Sequence, residues 1–196
     1  MGSDMTKLRR EWGRKKTVLG GTSMGAAVSL YAAMEDPDGV AGLILATPPT
    51  CYEGRQKFVP MYRESAEMAK LQGLEAAKAA AAKKAKPPIF LESEQGRAQF
   101  DIGWLQKFDM GVDGYAAAMQ CAEASDLPTP KELSQLNIPT LILAWRSDVQ
   151  HPLETARMLA KTLPDAELVV ANTWDEIETF TSHKRRFIQG LMGKAS

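Results

Sequence analysis

Cysteine and histidine are scarce in this chain, with two of each among 196 residues. Cys51 and Cys121 stand far apart, neither pair shows zinc-ligand spacing, and two thiols do not make a disulfide framework. Metal catalysis therefore has no donor set behind it, and a thiol-reduced, cytoplasmic protein is the expectation. Long apolar runs are also missing, which leaves no candidate membrane span or secretory signal. Net charge is absent as well. The 24 basic and 24 acidic residues cancel, so no overall field draws in nucleic acid or an anionic membrane, and neither is expected as a partner. The basic group Arg9, Arg10, Arg14, Lys15 and Lys16 reads as the solvated face of a first helix. What is present is a globular composition, 44% hydrophobic, long enough to bury a sizeable core.

Four short apolar runs read as buried parallel strands: Thr17 to Gly20, Gly42 to Thr47, Thr140 to Trp145 and Glu167 to Ala171. Helical segments alternate with them. Met24 to Glu35 stops before Pro37, Leu153 to Leu163 stops before Pro164, and Glu176 to Leu191 closes the chain. Such alternation predicts an α/β class, with right-handed crossovers and ligands beyond the carboxyl ends of the strands.

The stretch from Thr50 to Leu136 breaks the alternation and reads as a helical insertion, residues 50–136, set into a core of residues 1–49 and 137–196. Helical patterns run over Arg55 to Leu71, Gly73 to Lys86, Gln95 to Phe108 and Val112 to Ala124. Ala76 to Lys86 is almost wholly alanine and lysine, which predicts an exposed, mobile helix with little to bury. Trp104, Phe108, Met110, Tyr115 and Met119 either line a pocket or form the core of the insertion, and the core is the simpler reading.

The sharpest chemical signal is Thr17 to Gly25, reading Thr-Val-Leu-Gly-Gly-Thr-Ser-Met-Gly. It has the Gly-x-Ser-x-Gly form of a nucleophile elbow centred on Ser23, between a β-favouring run and the apolar helix that follows. At such an elbow the serine occupies a strained turn, and Gly21 and Gly25 keep side chains out of the crowded space. The amide of Met24, at the start of the helix, would face a developing oxyanion. Acyl transfer or hydrolysis follows as the expected chemistry, with a small-molecule substrate and no cofactor.

The elbow, the strand exit Leu43 to Pro49, the helical insertion, and the segment from Ile138-Pro139-Thr140 to Asp148-Val149-Gln150-His151-Pro152 together resemble the α/β-hydrolase superfamily. The resemblance covers nearly the whole chain. It implies the carboxyl-terminal half of that fold, a mostly parallel sheet of about four strands, with residues 50–136 as the helical cap that shapes the substrate pocket. It also implies Ser23 as nucleophile and Asp148 as the acid that orients the base.

Two departures from the family pattern are visible. The family's histidine normally stands directly after the last strand, where this chain has Asn172, Thr173, Trp174 and Asp175. A serine hydroxyl needs a neighbouring base. His183 has the family's chain order and is the leading candidate, although it lies about two turns inside the final helix. His151, in the loop of Asp148, is the second candidate. Without a base, the chain would be a non-catalytic relative binding a small ligand or partner. The other departure is that about 16 residues precede the elbow strand, where the family has about four strands and the loop giving a second oxyanion amide. Strand 17–20 would then lack a neighbour on one side, which predicts pairing with a second copy of the chain or a longer parent protein.

Overall fold

The computed structural model describes residues 2–13 and 15–193; Arg14, counted above with the basic face, lies outside them. The chain divides into two compact units, one made of the residues up to Thr50 and from Leu127 onward, the other of Cys51–Asp126.

The first unit holds one parallel sheet in the order β1-β2-β3-β4, with β1 Thr17–Thr22, β2 Val40–Ala46, β3 Thr140–Trp145 and β4 Ala166–Ala171. In register, Thr22 stands beside Ala46, Ala46 beside Leu143, and Leu143 beside Val169. Each strand falls on an expected apolar run, and the structure lengthens the first by two residues and starts the second two residues earlier. β3 is buried along almost its full length, as a central parallel strand covered on both faces must be. Leu43, Leu45, Leu141, Ile142 and Leu143 are fully buried. β1 pairs with β2 on one side and ends the sheet on the other among the described residues.

Helix α1, Gly2–Glu11, packs on α2, Met24–Glu35. The contact is close enough that a Cβ at Gly2 would stand 3.2 Å from the backbone nitrogen of Ala32. Arg9 of α1 pairs with Asp36, beyond the end of α2. Ala26, Ala27, Leu30, Ala32 and Ala33 of α2 are buried, and the helix packs on β1 and β2 as well as on α1. The expected final helix is two helices, Trp174–Glu178 and Phe180–Gly193, and Thr179 separates them. The second crosses β2 closely: a Cβ at Gly42 would meet Leu191 at 2.6 Å and Phe187 at 3.2 Å.

The second unit is all helical. Its longer helices are Val59–Gln72, Leu74–Ala82, Glu94–Gln106 and Gly111–Ala124. Its core joins Ala69, Ala77, Ala81, Phe108 and Tyr115, with Trp104 and Met119 packed against them, while Met110 is half exposed. The alanine-lysine segment exposes Ala79, Ala82, Lys83 and Ala85 as expected, but it also has a buried side. Ala77 and Ala81, four residues apart, share one helix side and let Leu74–Ala82 approach Val59–Gln72 closely enough to be buried without large side chains. Arg55 is 3% exposed and bonds the carbonyls of Ala122 and Ser125. The Asp126 carboxylate accepts 3.0 Å bonds from the Tyr52 amide, whose residue has φ 52°.

Candidate active site

Ser23 sits between β1 and α2 at φ 55° and ψ −117°, a backbone region that costs energy for any residue with a side chain. The turn is held by the Ser23 amide, which donates to the Ala46 carbonyl at 3.0 Å, and by the Ser23 carbonyl, which accepts from the Ala26 amide at 2.9 Å. The two glycines act differently from the symmetrical expectation. A Cβ at Gly21 would stand 2.3 Å from the carbonyl carbon of Gly25, whereas a Cβ at Gly25 would meet nothing within 4 Å. Crowding is therefore relieved at Gly21, and Gly25 supplies the backbone that crowds it. Met24 is the first residue of α2, so its amide is one of those without an intrahelical acceptor.

The loop after β3 carries the second half of the site. Asp148 is 8% exposed and its carboxylate is heavily bonded. Oδ1 accepts from the amides of Gln150 at 3.0 Å and His151 at 3.1 Å. Oδ2 accepts from the Trp145 indole at 3.1 Å and from the His151 ring at 2.9 Å. Burial pushes the Asp148 carboxyl upward, but the His151 hydrogen bond and charge, with the bonds from Trp145 and Gln150, outweigh it and hold the carboxyl below its ordinary value.

His151 bridges the two halves: its Nδ1 is 2.9 Å from Asp148 Oδ2 and its Nε2 is 2.8 Å from Ser23 Oγ. A carboxylate can only accept, so Nδ1 carries the proton of the neutral ring and Nε2 is left bare to accept from the serine hydroxyl. The sheet explains how this loop reaches Ser23. β3 is two inter-strand spacings from β1, roughly 10 Å at about 4.8 Å each. The loop leans back across the exit of β2, where the Thr50 amide donates to the Gln150 carbonyl at 2.9 Å.

His183 lies elsewhere. It is on Phe180–Gly193, where its Nδ1 is 3.1 Å from the guanidinium of Arg186, which in turn bonds Glu167 of β4 at 2.9 Å. β4 is the sheet edge opposite β1, three spacings or roughly 14 Å away. The structure thus brings together Ser23, Asp148 and His151, and leaves His183 beside Arg186. The loop at Asn172 to Asp175 serves as a helix start, in which the Thr173 hydroxyl accepts from the Glu176 amide at 3.3 Å. Trp145 is the contributor that sequence reasoning passed over, since an aromatic ending a buried strand carries no signal of bonding an acid three residues on. Among the described residues no cluster of three His, Cys, Asp or Glu side chains is placed to hold a metal ion.

A parallel sheet with helices on its flanks and a serine strained at a strand-to-helix turn defines an α/β hydrolase. The chain belongs to the hydrolase family described as serine aminopeptidase, S33, whose sequence profile matches residues 3–174. Solved structures share the fold. A thermophilic esterase from Thermogutta terrifontis superposes with a TM-score of 0.72 at 24% identity, covering 97% of this chain and 71% of that one. The enol-lactonase from Burkholderia xenovorans LB400 superposes with a TM-score of 0.74 at 18% identity, covering 96% and 71%. A carboxylesterase structure from the thaumarchaeon Nitrososphaera gargenis gives a TM-score of 0.75 at 18% identity, covering 98% and 72%. No curated protein matches the chain.

Proposed function

We propose that the chain is a serine hydrolase of small carboxylic esters or lactones, with Ser23 as nucleophile, His151 as base, Asp148 as the acid that orients His151, and the Met24 amide as an oxyanion donor. The observation that carries this reading is the continuous pair of short contacts from Ser23 Oγ through His151 to Asp148, at 2.8 and 2.9 Å. Nε2 takes the hydroxyl proton as Oγ bonds to the substrate carbonyl carbon. The Met24 amide faces the oxygen that becomes negative. The protonated ring then gives its proton to the departing alkoxide, and water repeats the sequence on the acyl-enzyme. Asp148 holds the ring in the tautomer with Nε2 free and favours the imidazolium that forms.

The esterase and enol-lactonase names of the structural neighbours support this substrate class. Turnover of short-chain p-nitrophenyl esters tests the reading. Hydrolysis by the folded chain that disappears with Ser23→Ala supports it. Hydrolysis unchanged by Ser23→Ala, or saturable ester binding without turnover, overturns it in favour of background chemistry or a non-catalytic binding protein.

A further inference from the structure

Lys107 follows helix Glu94–Gln106 in the all-helical unit, and its surroundings are unusual for a lysine. The half-buried Nζ lies 3.1 Å from the centroid of the Trp104 ring and 5.2 Å from that of Phe108. Phe108 stacks on Tyr115 at 4.7 Å, and both belong to the core of the unit. Among the described residues no carboxylate or hydrogen-bond acceptor pairs with this nitrogen. Its charged neighbour is another cation, Lys84, which is itself partly desolvated and has Glu64 as a compensating carboxylate. Tyr115 brings no charge, because burial pushes its phenol upward. Lys86 shows the contrasting case in the same unit, with its ammonium bonded to Asp101 at 2.6 to 2.7 Å.

The Trp104 face favours the Lys107 ammonium, whereas burial and repulsion from Lys84 oppose it. The opposing effects prevail, burial first and Lys84 second, and lower the amine from 10.5 to about 7. Near neutrality about half of Lys107 is free amine, against less than about 0.1% for an ordinary lysine.

We propose that Lys107 is a nucleophilic amine and the preferred site on this chain for acylation by activated acyl donors such as thioesters and acyl phosphates. The Nζ lone pair bonds to the acyl carbon, and the bond to the leaving group breaks with its electron pair going to the departing thiolate or phosphate. The amine proton passes to solvent. The product is a neutral amide, which removes both the partly buried charge and the repulsion with Lys84, so the modified unit keeps its packing.

Limiting N-hydroxysuccinimidyl acetate on the intact chain, with acetylated lysines located by peptide mass spectrometry across pH 6 to 10, tests the proposal. Lys107 is expected to react at least about tenfold faster than the average lysine at pH 7, with a rate that levels off just above neutrality. Lys84→Gln, with folding checked by circular dichroism, is expected to move that levelling point upward and slow Lys107 at pH 7 several-fold. A Lys107 that stays unmodified in the folded chain, or whose rate climbs toward pH 10 like the rest, overturns the proposal.

Discussion

The two histidines of this chain stand in opposite company. His151 has a carboxylate at Nδ1 and a hydroxyl at Nε2, the counter-charge and the proton source that its proposed role as base requires. His183 has the permanent cation Arg186 at its Nδ1, and that guanidinium is committed to Glu167. A base needs both a proton to take and a counter-charge once it has taken it. The contrast teaches that surroundings separate the two rings: Arg186 ties His183 to Glu167 at the start of β4, whereas His151 reaches Ser23 just beyond the end of β1. Chain order pointed to His183, but its ring lies beside Arg186, whose guanidinium bonds Glu167 of β4, whereas the β3 loop bonds Thr50 beyond β2 and brings His151 to Ser23.

The strongest way to break the comparison is to exchange the two roles. His151→Ala is expected to lower kcat/KM for an ester by on the order of a thousandfold or more, as loss of a triad base does. His183→Ala should leave it within about twofold. Equal losses in steady-state kinetics would remove the distinction.

Next in size is the elbow itself. Gly21→Ala places a Cβ 2.3 Å from the Gly25 carbonyl carbon, a clash of backbone with backbone. A loss of about 3 kcal/mol or more in stability, or failure to fold, is expected. Gly25→Ala, whose Cβ meets nothing within 4 Å, should be much milder. Urea unfolding of the two variants checks the order, and equal costs would contradict it.

The acid side of the stability curve sharpens the account of Asp148. Its folded carboxyl lies below the ordinary value of 3.8, so its contribution is fully present above that value and is lost as pH falls through the lower folded value. Thermal melts at decreasing pH should therefore show a steeper decline below about pH 4 in the parent chain than in Asp148→Asn. An identical decline would mean that the Asp148 bonds contribute nothing to the folded state.

Trp145→Phe is the mildest of the changes around the base. It deletes one neutral donor to Asp148 Oδ2 and keeps the ring packing, so a loss of about 1 kcal/mol and a drop in kcat of several-fold with KM little changed are expected. A change in KM alone would assign Trp145 to substrate binding instead.

Much of this was legible in the residues because it rests on local pattern. β3 and helix Met24–Glu35 were bounded correctly, since an apolar run against Pro139 and a helix stopped before Pro37 leave little freedom. Ser23 was legible because its strain has a compositional signature in Gly21 and Gly25. Which histidine reached the serine was not, because that depends on long-range contacts such as the backbone bond between Thr50 and Gln150, which no local pattern records. The burial of Ala77 and Ala81 was missed for a related reason. Small side chains look featureless in sequence, yet they permit the closest helix contacts.

Fluorophosphonate labelling of the folded chain, located by mass spectrometry, tests the central claim most directly. Labelling at Ser23 that falls away in His151→Ala and persists in His183→Ala is the predicted result. Labelling that survives His151→Ala, or no labelling of Ser23 in the folded chain, would contradict the assignment of His151 as its activating base.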